Sequence, residues 1–185
     1  MSRIAKRIIK IPKEVSVVKD NLGEFDCWYF LGPKGKSNEL VVSSSKVEIK
    51  QEDNEMVTIA SSIKNIPLAG TYNSLLKGLI IGVSEGYQLK MEIRGVGYKI
   101  DLKNQCLSLS VGKSHSVFLP IPKELEVIVS SSKRDVLIKG IDKQEVTSFA
   151  SKLRSIKKPS AYHNKGIFYL GELTKLKPTK SASKK

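Results

Sequence analysis

The sequence predicts an α+β fold of two tandem duplicated domains, each a small, mostly antiparallel sheet packed with one helix. Three observations carry that expectation. The tripeptide Gly-Lys-Ser stands at 35–37 and again at 112–114, similar strand-like runs flank both copies, and each half closes on an apolar helical stripe.

In the first half, FDCWYFL (Phe25 to Leu31) reads as a strand before the tripeptide, and Leu40 to Val42 as a strand after it. Val47 to Ile49 and Met56 to Ile59 follow, separated by the polar turn QEDNE. Leu75, Leu76, Leu79, Ile80 and Val83 then fall on one helical face. The second half repeats the order. Leu89, Met91 and Ile93 alternate as a strand, and RGVGYK behind them reads as a turn or bulge leading into the next strand. CLSLSV ends at Val111 before the second tripeptide and Val117 to Leu119 follows it. Leu125 to Val129 and Val136 to Ile138 flank the turn SSSKRD. Val146, Phe149, Ala150, Leu153 and Ile156 form the closing helical stripe. Asp142 to Glu145, D-K-Q-E, has the spacing of a capping box at its start, and the helix must stop before Pro159. The expected domains are residues 1–82 and 83–172, with the junction near 83–88 and a basic tail at 173–185.

Composition points to a polyanionic partner. Thirty-two Lys and Arg against eighteen Asp and Glu give a net charge of +14 on 185 residues, a field that attracts nucleic acid or an anionic membrane. A 40% apolar content is enough for a true core. No run of eighteen apolar residues occurs and the start MSRIAKRIIK lacks a signal-like apolar stretch, so a soluble protein is expected. Cys27 and Cys106, the two cysteines, are too few for a disulfide framework or a four-ligand zinc site and suit a reducing compartment. Five of the basic residues are arginine (Arg3, Arg7, Arg94, Arg134, Arg154) and the rest lysine, which favours recognition of backbone and shape over base edges.

The motifs that suggest chemistry fail on spacing. A phosphate-binding P-loop needs a glycine five residues before the Gly-Lys-Ser glycine, where Phe30 and Leu107 stand, and both copies lie between strands, as hairpin turns, with no helix to open. The Gly95 and Gly97 pair has Ile100 where a dinucleotide fingerprint needs its third glycine. His115 and His163 have no cysteine or carboxylate at ligand spacing, and no nucleophile elbow occurs. No enzyme, metal or cofactor is expected. Cys27 and Cys106 read as buried thiols.

The basic residues cluster at the ends. Arg3, Lys6, Arg7, Lys10 and Lys13 precede the first acid, Glu14, and the tail carries Lys175, Lys177, Lys180, Lys184 and Lys185 without an acid. Neither end has the apolar stripe that a membrane-surface helix requires, so RNA or DNA is the better partner. Between the second helix and the tail lies PSAYHNKGIFYLGE. Lys157, Lys158, His163 and Lys165 can meet phosphate there, Tyr162 can stack or donate, and Gly166 allows close backbone approach. Phe168, Tyr169 and Leu170 are expected to pack against the domain edge.

MSRIAKR with IPKEV, LGPKG, VSEGY, IRGVGYK, LSVGKSH, GIDKQ and NKGI occur in that order, and together they resemble the sixth protein of the large ribosomal subunit, bacterial and organellar type. The resemblance covers nearly the whole chain. It implies two duplicated α+β domains, no catalysis, and binding of large-subunit ribosomal RNA near the sarcin-ricin loop and stalk base. Its implied neighbours are stalk-base ribosomal proteins and translational GTPases. The RNA-binding residues expected are Arg3, Lys6, Arg7, Arg94, Lys113, Ser114, His115, Lys157, Lys158, Tyr162, His163, Asn164, Lys165, Gly166, Lys175 and Lys177. Two departures stand out. The family's Lys-Gly-Lys-Gly signature is here His163-Asn164-Lys165-Gly166, trading charge for a less basic ring and glycine for the residue that best tolerates a left-handed backbone. Lys113 and Ser116 stand where the family usually has tyrosine and proline. Lysine and isoleucine usage suggests an AT-rich genome, a bacterium or an organelle such as a plastid.

The rival classes are a free nucleic-acid chaperone, binding DNA and RNA alike, and a phosphate-handling enzyme built on Gly-Lys-Ser. More RNA contact is expected from the second domain, so truncation after Ser155 should cost more incorporation than deletion of Met1 to Pro12.

Overall fold

The computed structural model describes residues 8–178 except Asp53, with Leu22 described by its backbone alone. The chain divides into two compact units. The first runs to Tyr87 and takes in Ile141–Lys143; the second comprises Gln88–Gly140 and the chain from Gln144 onward.

The first unit contains β1 (Ile9–Lys10), β2 (Ser16–Leu22), β3 (Phe25–Gly32), β4 (Gly35–Lys36), β5 (Leu40–Ser43), β6 (Val47–Glu52), β7 (Glu55–Ala60), a 3-10 turn (Ile63–Asn65) and α1 (Ile66–Ser84). One sheet has the order β1-β7-β6; the other is β2-β3-β4 with β5 also paired to β3. All these pairings are antiparallel. Ala69, Leu76, Ile80 and Val83 recur at helical spacing along α1 and pack with Trp28, Phe30 and Met56, while Leu79 sits partly buried beside them. By length and composition alone α1 could cross a bilayer, but these side chains make the unit's own core. β2 was not legible as a strand because Lys19, Asp20 and Asn21 interrupt its apolar pattern. It is held by seven paired positions on β3 and by a 3.0 Å ion pair from Lys19 to Asp26.

The second unit contains β8 (Tyr87–Arg94), β9 (Lys99–Lys103), β10 (Cys106–Ser110), β11 (Val117–Pro120), β12 (Leu125–Val129), β13 (Asp135–Gly140), α2 (Lys143–Ile156) and β14 (Gly166–Tyr169). Its sheets run β11-β10-β9 and β12-β13-β8-β14. The plan repeats that of the first unit: β5-β3-β2 corresponds to β11-β10-β9, and β6-β7-β1 to β12-β13-β8, with β14 added outside β8. Each unit therefore holds two small sheets where one was expected. Alternation shows which residues form strands, but partners are chosen by contacts distant in sequence. The α2 stripe is as read: Val146, Phe149, Ala150 and Leu153 are buried, and the helix ends at Ile156, ahead of Pro159.

The first Gly-Lys-Ser does not form a turn. The chain reverses at Pro33–Lys34, Gly32 faces Gly35 across the hairpin, and Gly35–Lys36 is already the returning strand. Buried Ser37 donates its N–H to the Phe30 carbonyl and accepts the Phe30 N–H on Oγ, both at 2.9 Å. The second copy lies in an exposed loop between β10 and β11. Cys27 is buried as expected, whereas Cys106 is half-buried.

Candidate nucleic-acid interface

The chain leaves α2 at Ile156, makes a loop, and returns as β14. The base of the loop is closed by two backbone bonds, Ile167 N to Lys157 O at 3.0 Å and Ser160 N to Lys165 O at 2.9 Å. Inside it, Ser160 Oγ accepts from the N–H groups of Tyr162 and His163, each at 3.3 Å, and the Lys165 N–H donates to the His163 carbonyl. Tyr162, His163, Asn164 and Lys165 are thereby displayed to solvent on an ordered turn. The tail crosses back over this loop: Lys177 N donates to Ala161 O at 2.8 Å and Thr174 Oγ1 lies 3.5 Å from Asn164 Oδ1. Lys175 and Lys177 are thus brought beside the loop's own basic groups.

Two expectations about this segment change. Asn164 is not left-handed; the non-glycine residues with positive φ among those described are Asn104, Gln105 and Lys133. Its side chain instead accepts from Arg94 Nη1 at 3.4 Å. Gly166 is buried at φ +135°, and a Cβ there would stand 2.8 Å from both the Lys158 carbonyl oxygen and Pro159 Cα. The close approach that requires glycine is to the chain itself. Phe168 is fully buried and Tyr169 half-buried, as packing residues should be, but Leu170 is 60% exposed.

The acids near the loop are taken by arginines. Arg154 donates to both carboxylate oxygens of Glu172 at 2.7 Å and lies 4.9 Å from the Tyr169 ring centre. The Glu172 carboxyl also accepts the Tyr169 N–H at 3.2 Å. The Arg154 contact holds that carboxyl below the usual carboxylate range and raises the guanidinium in turn. Arg94 donates to Glu92 at 2.9 Å, which raises its own pKa, and stacks 4.7 Å from the Phe168 ring centre. Among the described residues none of Lys113, Lys157, Lys158, Lys165, Lys175 and Lys177 is in an ion pair. Those cations face water without a carboxylate to neutralise them.

Lys113, Ser114 and His115 sit at the exposed tip of the β10–β11 loop, with Ser114 Oγ 3.5 Å from His115 Nδ1. Tyr98 ties this loop to the rest. A Cβ on Gly95 would lie 2.6 Å from the Tyr98 ring, and one on Gly112 at φ +70° would lie 3.0 Å from it, so the ring rests on both glycines. Arg94, one residue before Gly95, reaches Asn164. Residues 94–98 therefore connect the 111–116 loop to the 157–166 segment by direct contacts. Sequence reasoning missed Tyr98, Arg154 and Glu172. The glycines spaced around Tyr98 were a signal, whereas the Arg154–Glu172 pair left none. Arg3, Lys6, Arg7, Lys180, Lys184 and Lys185 lie outside the described residues. Among the described residues, no three His, Cys, Asp or Glu side chains are grouped as metal ligands.

The family model described as Ribosomal protein L6 matches residues 94–169, from Arg94 through β14. Full-length relatives match the rest. The large ribosomal subunit protein uL6 of Metamycoplasma arthritidis is 42% identical over 187 residues, covering 100% of both chains. That of Thermotoga petrophila is 33% identical over 190 residues, 98% of this chain and 100% of the relative. The chain belongs to the ribosomal protein L6 family. L6 proteins are structural, non-catalytic ribosome components, in keeping with the failed P-loop spacing. The L6 relatives named here are bacterial, and the plastid origin suggested by lysine and isoleucine usage has no support among them. The L6 match takes in α2 and also Tyr98, the 111–116 loop and the 157–166 segment, the last three being the parts that residues 94–98 connect by direct contacts.

Proposed function

We propose that this protein is a structural constituent of the large ribosomal subunit that binds the subunit's ribosomal RNA chiefly through its second unit, near the sarcin-ricin loop and the stalk base. The observation that carries the reading is the ordered loop at 157–166 with the tail folded across it, where Lys157, Lys158, Lys165, Lys175 and Lys177 are left unpaired while Arg154 and Arg94 occupy the adjacent acids. Such a surface neutralises closely spaced phosphates and releases their counterions. Because its lysines act as point charges and its backbone is pinned by hydrogen bonds, it recognises the path of an RNA backbone rather than a base sequence. Tyr162, 53% exposed on the same turn, adds a ring for stacking or a hydroxyl for donation. The Lys113–His115 loop offers a further phosphate contact, and by their charge Arg3, Lys6 and Arg7 are further candidates for phosphate contact. In this role the protein fixes RNA helices relative to one another and supports the surface on which translational GTPases dock, beside neighbouring stalk-base proteins.

Sedimentation of tagged protein from gently lysed cells, followed through a high-salt wash, tests the reading. Retention in the large-subunit peak, with chemical protection of the sarcin-ricin region on adding the protein to depleted subunits, is expected. Protein found free or on DNA after the wash would overturn it in favour of a nucleic-acid chaperone.

A further inference from the structure

The outward face of the β9-β10-β11 sheet is used by none of the contacts above. Cross-strand register places Phe118, Ser108 and Asp101 in one row, Pro120, Cys106 and Lys103 in the next, and Ser110 opposite Lys99 in a third. Along β10, Leu107 and Leu109 are fully buried, so Cys106, Ser108 and Ser110 point the other way. The middle strand thus gives a floor of small side chains. Phe118, 66% exposed, stands on one side of that floor, and exposed Lys99 and Lys103 on the other. An aromatic ring so exposed on a strand contributes little to the core. Asp101, the acid on this face, is held by Lys133 at 2.7 Å, and that hydrogen bond keeps its carboxyl below the usual range. The face is consequently cationic along one edge and aromatic along the other. At the Ser110 end it runs into the loop that carries Lys113 and His115.

We propose that this trough is a second RNA-contacting surface, on which an unpaired base stacks against Phe118 while the flanking phosphates meet Lys99 and Lys103. The proposal rests on the reading that the chain binds ribosomal RNA. A nucleotide fits this face better than a protein partner, because a single large ring beside unpaired lysines matches one base between two phosphates, whereas a protein interface would leave the lysines buried against an apolar surface.

The two thiols supply an internal control for the test: Cys106 lies half-buried on the trough floor, and Cys27 is 4% exposed in the other unit. The full chain is treated with a maleimide, alone and with deproteinised large-subunit ribosomal RNA, and modification at each cysteine is read by mass spectrometry. Cys106 should label in the free protein and at least about tenfold more slowly in the RNA complex, with Cys27 unreactive in both. Phe118→Ala should weaken RNA binding about tenfold at fixed salt with the salt slope unchanged, and Phe118→Trp should restore it. Lys99→Ala should flatten the slope by about 0.7 to 0.9. Undiminished Cys106 labelling, or wild-type affinity in Phe118→Ala, while the unaltered protein still binds the RNA, overturns the trough and leaves the ribosomal reading standing. Cys106 protection in assembled subunits but not by RNA alone assigns the face to a protein neighbour and also overturns it. Failure of the unaltered protein to prefer ribosomal RNA over DNA strikes the ribosomal reading itself.

Discussion

Gly166→Ala separates a structural demand from an RNA-binding one at a single atom. At φ +135° an L side chain is strained, at a cost of about 1 to 3 kcal/mol. The new Cβ would also press on backbone, the Lys158 carbonyl and Pro159 Cα at 2.8 Å, where no flexible side-chain end can yield. Moving that segment costs a further 1 to 3 kcal/mol or so by analogy with overpacked cores. The total, about 2 to 6 kcal/mol, falls on a unit of the size in which 1 kcal/mol shifts Tm by about 4–8 °C. A fall in Tm of at least about 8 °C is therefore expected in calorimetry of the purified protein without RNA. The paired residue Arg94 should lose its ordered contacts as β14 shifts on β8. If the glycine served RNA approach alone, the substitution would leave Tm within about 2 °C while weakening RNA binding, and that result would refute the packing argument.

Three further outcomes are expected. Asn104 and Gln105 both have positive φ, +42° and +59°, in the two-residue turn joining β9 to β10, so Gln105→Gly should relieve strain and raise stability by up to about 1 kcal/mol, read as a higher denaturant midpoint at unchanged slope. Glu172→Gln should cost about 1 to 2 kcal/mol at neutral pH, the pair being partly exposed. Because the folded carboxyl sits below its unfolded value, the contribution is present above the unfolded pKa and lost as pH falls through the folded one; denaturation curves of the two proteins should converge in acid, and a constant gap would count against the Arg154 contact. Truncation after Thr174 removes Lys175, Lys177, Lys180, Lys184 and Lys185, and should flatten the salt dependence of RNA binding by up to about 4 with the fold intact. Truncation after Ser155 cannot make that measurement, because it removes β14, whose Ile167 and Phe168 are fully buried.

Strands and helices were legible where one face is buried and the period survives, as in CLSLSV on β10 and the Val146–Leu153 stripe of α2. β2 and β14 were not. Lys19, Asp20 and Asn21 hide the first, and the second is only Gly-Ile-Phe-Tyr, three of whose residues are buried, leaving no alternation to detect. The candidate interface was legible as a list of lysines and one irregular segment. Its organisation depends on pairs distant in sequence: Arg94 with Asn164, 70 residues apart, and Arg154 with Glu172, 18 apart. No periodic signal encodes such pairs.

The division of labour between arginine and lysine follows from the same geometry. Arg94 and Arg154 each hold a carboxylate and cover an aromatic ring inside the second unit, a task suited to a planar fork that loses little freedom on binding. With Glu92 and Glu172 held in this way, the proposed phosphate contacts of the loop lysines meet less competition from those two carboxylates. The lysines of the loop and tail are in no ion pair among the described residues, and a compact charge on a flexible stem suits the proposed contact with an irregular RNA backbone. On the proposed reading Arg154 acts on the interface through Glu172, whose carboxylate it holds. Replacing it with lysine keeps the charge but gives up the bidentate contact, which returns part of the Glu172 charge to the surface. RNA affinity should then fall with little change in net charge, and restoring it by Glu172→Gln in the same chain would separate this electrostatic role from a direct phosphate contact.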